Sequence, residues 1–293
     1  CTPQVLEGSA RAVSVLCGAA MLIPLYLLAR RLLGLRGAQW ALILALFHPR
    51  LVQYSGAALS EAPFTLMLIA GLAAVVVAWR VGPAPVASEA AVPGARPPED
   101  VRRVLLEIAG GALFGFAYLI RPEGILVAAA LWAAAIALRR GERPLVRLGP
   151  VFVLSAIVVS APFIIFLHSQ LGYWSLGEKG PFNFWREHRA AYAEMFPEPR
   201  GLQERASESP ELTDEIPPAR VDVAGFVLKR PAAFAGRYFA NLGTILASSF
   251  PVAVYHVFVL LAVLGAFAVP LRRSWPVLLV IALLPLLYAA FSV

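Results

Sequence analysis

The sequence predicts an all-α protein, a polytopic bundle of transmembrane helices with an external loop that carries interfacial helices. Three observations lead there. Of 293 residues, 59% are hydrophobic and 15% charged, with a mean hydropathy of +0.73, too apolar for a soluble chain of this length. Uncharged runs about as long as a hydrocarbon core is thick alternate with short arginine clusters. Lipid offers no water to an open backbone edge, so runs that cross it are helices.

Residues 12 to 29 form the first crossing, with Pro24 placed to kink it, and Arg30, Arg31 and Arg36 close it. Residues 37 to 59 run back, interrupted by His48, Pro49, Arg50, Gln53 and Tyr54, the least lipid-like crossing of the set. Glu61 heads the span at 62 to 79, and a Pro/Ala/Gly-rich connector at 80 to 103 follows. Residues 104 to 120 and 124 to 138 are short arms joined only by Arg121, Pro122 and Glu123, a turn at or just inside the far interface. Gly111 and Gly115 in the first arm form a GxxxG, which lets a neighbouring helix approach closely. A span at 148 to 167 leads into a polar segment, and apolar runs resume at 243 to 271 and 275 to 293, divided by Arg272 and Arg273. The expected organisation is an N-terminal transmembrane bundle over 1 to 167, an external loop over 168 to 242, and C-terminal spans over 243 to 293.

Placing 30 to 37, 80 to 103, 139 to 147 and 272 to 273 on one side collects 13 arginines there, against Arg50 and Arg121 in the opposite short turns, and the 168 to 242 segment is too long for its charges to count. By the positive-inside rule that side is cytosolic, so the expected location is the plasma (inner) membrane, multi-pass, with 168 to 242 outside. Net charge of +7 does not imply nucleic acid, because the arginines sit at run ends and form no continuous basic face. Cys1 and Cys17 imply neither a disulfide framework nor a metal cluster. Within the outer segment, 173 to 195 interleaves aromatic and charged residues, 197 to 220 is Pro/Glu/Ser-rich, and 222 to 242 is amphipathic, expected as interfacial helices broken at Pro231. The chain opens on Cys1 without a methionine and stops inside an apolar run, and is read as a fragment.

Four stretches, RAVSVLCGAAMLIPLYLLARRLLG (11 to 34), HPRLVQYSGAALSEAPFTLML (48 to 68), GALFGFAYLIRPEGILV (111 to 127) and KRPAAFAGRYFANL (229 to 242), together resemble the GT-C superfamily of membrane glycosyltransferases. The similarity is to the dolichyl-phosphate-mannose protein mannosyltransferase-like group and its bacterial relatives that modify lipid A or cell-envelope glycans. It implies a GT-C-like bundle that passes a sugar from a polyprenyl-phosphate donor to a protein, lipid or glycan acceptor at the outer face. It also implies a principal catalytic aspartate in a first external loop, shortly before the span that begins near Ala12. No aspartate precedes Asp100, so that loop and the span before it are expected upstream of Cys1.

Such a transfer needs a carboxylate to deprotonate the acceptor and cations to stabilise the departing phosphate. Glu61 stands where an outward crossing turns back, a position where the resemblance implies an acidic site residue. Its bland alternative is a solvated turn carboxylate behind a Ser60 cap. Arg121 would suit a phosphate, since a guanidinium offers paired donors, and Glu123 shares its turn; a simple ion pair or snorkelling is the competing account. His48, Arg50 and Tyr54 precede Glu61, with Tyr54 over Arg50 on one helix face, and interfacial anchoring competes. Lys179, Trp185, Arg186 and His188 could form a lid that stacks sugar and binds phosphate, against an aromatic belt. No residue spacing requires a metal or other cofactor, although Glu61 and the upstream loop could share a divalent ion. The rival functions are a secondary transporter or lipid flippase, marked by ionisable groups near the bilayer midplane, and a non-catalytic membrane subunit.

Overall fold

The computed structural model describes residues 3–57, 60–79, 99–138, 149–177, 184–186, 188, 221–249 and 271–291. Among them the chain is helical without a strand. The helices are α1 (Pro3–Ala20), α2 (Leu22–Leu46), α3 (Pro49–Gly56), α4 (Glu61–Ala78), α5 (Glu99–Ile120), α6 (Glu123–Leu138) and α7 (Pro150–Leu171). Beyond these come α8 (Val223–Lys229), α9 (Pro231–Thr244) with a π-helical turn at Ile245–Ser249, and α10 (Leu271–Phe291).

Four helical stretches among the described residues are long and apolar enough to cross a membrane: Val5–Leu46, Glu61–Ala78, Val101–Ile120 and Pro150–Leu171. Glu123–Ala137 and Trp275–Leu287 are shorter apolar helices. Large apolar side chains face outward on these stretches, including Leu16 at 68% exposure, Ile23, Trp40, Ile157 and Ile165. Such a surface is unfavourable in water and is the solvated face in hydrocarbon.

The 42-residue stretch from Val5 to Leu46 would make a straight rod of ~63 Å, about twice a hydrocarbon core. Two residues interrupt it. Pro24 has no N–H to give the Ala20 carbonyl, and α1 and α2 divide there, although Met21 stays helical and its N–H still reaches Cys17 O at 2.9 Å. The larger break is Gly34, at φ 79° and ψ −175°, a region only glycine occupies readily. Leu51 and Tyr54 line the same cleft as Gly18 and Met21, so the chain reverses between them. Gly34 is the residue of α2 with non-helical dihedrals. The two crossings expected at 12 to 29 and 37 to 59 are therefore separated at Gly34. The second does not reach 59 as one helix: it stops at Leu46, and Pro49 opens the separate α3 with His48 as its cap.

Helix α5 organises the bundle. It runs antiparallel to α4, with Arg121 beside Phe64, Phe114 against Gly71 and Gly110 against Val75. It runs parallel to α7, with Gly111 on Phe152 and Ser155 and Gly115 on Ala156 and Val159. A methyl group added at Gly111 would strike the Phe152 carbonyl oxygen, so the GxxxG face lets two backbones touch, as the spacing anticipated. Phe152 seals this layer, edge-on to Trp79 at 5.6 Å and to Phe114 at 5.7 Å. The core continues through Val127 and Leu131 of α6 and Val280 of α10.

A second, smaller core joins the segment around residue 184 to α8 and α9. Phe184, Trp185 and Phe226 are buried there, with Val221, Val223, Val227 and Phe234 packed around them. Asp222 caps α8 through Gly225 N–H at 2.8 Å. Pro231 begins α9 after a break at Arg230, where the sequence placed it. Asn241 of α9 donates to Ala289 O of α10 at 3.4 Å, which ties this segment to the bundle. Helix α10 begins at Leu271, four residues before the expected 275. The expected span at 243 to 271 lies largely outside the described residues.

Candidate functional site

The site begins with a short turn. α5 ends at Ile120 because Pro122 follows, and a residue ahead of proline is driven from helical dihedrals. Arg121 N–H still reaches Ala117 O at 2.8 Å, and Gly124 N–H reaches Arg121 O at 3.0 Å as α6 starts. A methyl group on Gly124 would lie 2.5 Å from Tyr118 N, so the reversal is as tight as the sequence suggested.

Across from this turn, Glu61 is the first residue of α4, where the helix dipole favours a negative charge. Ser60 occupies the capping position but its side chain makes no cap bond. The antiparallel register of α4 and α5 brings Arg121 Nη1 to 3.3 Å from Glu61 Oε1. Arg121 Nε also lies 3.7 Å from Glu123 Oε2, and the guanidinium sits 5.7 Å over the Phe64 ring. One cation thus lies between two carboxylates, leaving a negative charge uncompensated among the three. The Arg121 and Glu123 side chains are 18% exposed and Glu61 is 32% exposed, so water does not fully screen them. Among the described residues, Glu61 Oε2 and Glu123 Oε2 are shielded and accept no hydrogen bond. They keep acceptor capacity for a hydroxyl or a proton.

Glu61 opens onto a small, partly open cleft lined by Gly18, Met21, Leu51, Tyr54, Ser55, Ala62 and Thr65, whose volume of about 10 Å³ is on the scale of one water molecule. The close approach of α3 to α1 closes its side, since a methyl group on Gly18 would strike Ser55 Oγ. Thr65 and Ser55 direct their hydroxyl hydrogens to the carbonyls of Glu61 and Leu51, both at 2.7 Å. Their oxygen lone pairs remain for a ligand.

Of the candidates named from the sequence, Glu61, Arg121, Glu123 and Tyr54 come together here. His48 takes a different role: its Nδ1 accepts the Leu51 N–H at 3.4 Å and caps α3. Burial pushes its pKa below the ordinary imidazole value, outweighing a backbone hydrogen bond that raises it. Arg50 lies in the first turn of α3, and its side chain, like Lys179, falls outside the described residues. Trp185 and His188 enter the second core. Trp185 is 4% exposed, and the His188 ring stacks on Phe184 at 4.3 Å and meets Phe226 at 5.0 Å. Their faces are covered, which leaves the stacking lid expected of them without an open ring. Arg186 between them is exposed.

Sequence reasoning missed Phe64 and Thr65, three and four residues after Glu61, although that spacing places them on the helix face of Glu61. It also passed over Glu107. This carboxylate is 2% exposed in the span Val101–Ile120 and bonds Arg103 Nε at 3.1 Å. The α4–α5 register puts it toward the end opposite the Glu61–Arg121 pair. Among the described residues no cluster of His, Cys, Asp and Glu has metal-binding geometry.

No protein-family model matches the chain, and no curated protein or solved structure does.

Proposed function

We propose that the chain is a membrane glycosyltransferase of the GT-C type, moving a sugar from a polyprenyl-phosphate donor to an acceptor hydroxyl at the outer face of the membrane. The observation that carries this reading is the Glu61–Arg121 contact on a cleft at one end of an apolar bundle. Transfer makes a bond from the acceptor oxygen to the anomeric carbon and breaks that carbon's bond to the phosphate oxygen. The acceptor proton goes to a carboxylate, for which Glu61 is the candidate among these residues, beside the aspartate expected upstream. The phosphate departs with its electron pair, and Arg121 offers it paired N–H donors. Tyr54, Ser55 and Thr65 supply polar contacts to sugar hydroxyls. A polyprenyl chain would lie in the bilayer against the exposed apolar faces, with its phosphate and sugar outside the mouth of the cleft, beside Glu61 and Arg121. The arginine-rich connectors favour the cytosol for the opposite end of the bundle.

The test is transfer by the protein in liposomes from a radiolabelled polyprenyl-phosphate hexose or pentose to extractable acceptor. Glu61→Gln should lower turnover by about 10²–10⁴-fold. Undiminished turnover removes Glu61 from the mechanism.

Glu107 favours a second reading. A buried carboxylate within an apolar span is what a secondary transporter or flippase would use to carry a proton or bind a cation. Loss of substrate movement in Glu107→Gln, with Glu61→Gln unaffected, would select that reading.

A further inference from the structure

The end of α7 fixes one aromatic ring in an unusual way. Gly172 takes a left-handed conformation at φ 73°, and its N–H caps the helix on His168 O at 2.9 Å. The chain doubles back at once and lays Trp174 flat on His168, with ring centroids 4.0 Å apart and planes within 2°. The imidazole covers one indole face. Trp174 is nevertheless 68% exposed, so its other face is open. Among the described residues His168 Nδ1 is shielded without a hydrogen-bond partner, a cost the fold carries while holding the ring.

The following residues tie this ring to the candidate site. Ser175 Oγ accepts the Gly177 N–H at 3.1 Å and donates to Gly177 O at 3.2 Å. A methyl group on Gly177 would lie 3.7 Å from Pro122 Cβ. The loop that presents Trp174 therefore closes on the turn that holds Arg121 and Glu123.

We propose that the open face of Trp174 is a sugar-binding platform at the rim of the site, taking the C–H face of a pyranose ring. The proposal rests on the transferase reading for the presence of a sugar there, and deepens it by naming where the ring lies. The negative face of an indole attracts the polarised C–H groups on one side of a pyranose. A ring already backed and oriented loses little freedom on binding. An indole that only anchors the protein at the headgroups needs depth in the interface, not a fixed tilt enforced by a stacked histidine.

The experiment uses the full chain in nanodiscs, with fluorotryptophan incorporated and the Trp174 fluorine NMR line identified by its loss in Trp174→Phe. Methyl β-D-glucopyranoside is titrated in, with glycerol at matched hydroxyl concentration as the control. The Trp174 line should shift saturably with the pyranoside and not with glycerol. His168→Ala, whose melting temperature confirms that it folds, should weaken that binding about tenfold. A Trp174 line broadened by a headgroup nitroxide lipid but unmoved by the pyranoside makes the residue an interfacial anchor and overturns the proposal. Transfer activity is measured on the same sample: transfer without the shift removes the platform alone, and a saturable shift without transfer keeps the platform while removing the transferase reading.

Discussion

Glu61 and Arg121 stand sixty residues apart in sequence and meet at 3.3 Å, a contact made by the antiparallel register of α4 and α5. Arg121 also faces Glu123, so its loss leaves two partly shielded carboxylates side by side. Arg121→Gln should lower stability by about 1–3 kcal/mol. Adding Glu61→Gln should recover part of that loss, since it removes one of the orphaned charges. Thermal unfolding of the two variants in nanodiscs decides it, and a double variant less stable than Arg121→Gln would contradict the electrostatic account.

Gly34 should tolerate no side chain. Open space surrounds it, so a methyl group meets no steric clash and any penalty is conformational. Gly34→Ala should cost about 1–3 kcal/mol through the strained dihedrals alone. Gly8→Ala in α1, also in open space but without a positive φ, should be neutral or slightly stabilising. Equal melting temperatures for the two variants would mean that the reversal does not depend on Gly34.

Gly111 tests the opposite cause. Its dihedrals are not at issue; the Phe152 carbonyl occupies the space a Cβ needs. Gly111→Ala should force α5 and α7 apart and cost about 1–3 kcal/mol, and Gly111→Val more. A cysteine pair engineered across α5 and α7 should cross-link more slowly in these variants, and an unchanged rate would refute the close approach.

His48 caps α3 only when Nδ1 is unprotonated, and burial holds its pKa below the ordinary 6.5. The unfolded chain therefore binds the proton first as pH falls. The cap's stabilisation is full above about pH 6.5 and is lost as pH drops through the lower folded-state value. Amide exchange at Leu51 should quicken below that pH, and His48→Asn should flatten the dependence while keeping a cap. Exchange at Leu51 that stays independent of pH after correction for its intrinsic rate would count against this role.

Within α5, Arg103 and Glu107 are unequal partners, since Glu107 is 2% exposed and Arg103 32%. Glu107→Gln keeps the shape without the charge and should be tolerated, whereas Arg103→Ala strands a buried carboxylate and should cost about 2–4 kcal/mol. Comparable melting temperatures for the two would show that Glu107 is neutral in the folded protein.

The sequence by itself determined the helical, membrane-like character and most of the punctuation. These are local properties: an uncharged run must find an apolar solvent, Pro122 and Pro231 stand at helix boundaries, although Pro162 and Pro285 stay inside α7 and α10, and closely spaced glycines let backbones approach. It also singled out Glu61, Arg121, Glu123 and Tyr54, because ionisable and polar groups at run ends are few. Tertiary structure decided which of these meet. Nothing local in Glu61 fixes its distance to Arg121; that follows from the α4–α5 register, set by Gly71, Gly110 and Phe114 interlocking along the helices. The aromatic residues were legible as a class but not as roles. Trp185 and Trp174 look alike in sequence, yet one is sealed by Phe184 and Phe226 while the other lies open on His168. Burial depends on which distant segments pack against a ring, and no window around the ring contains them.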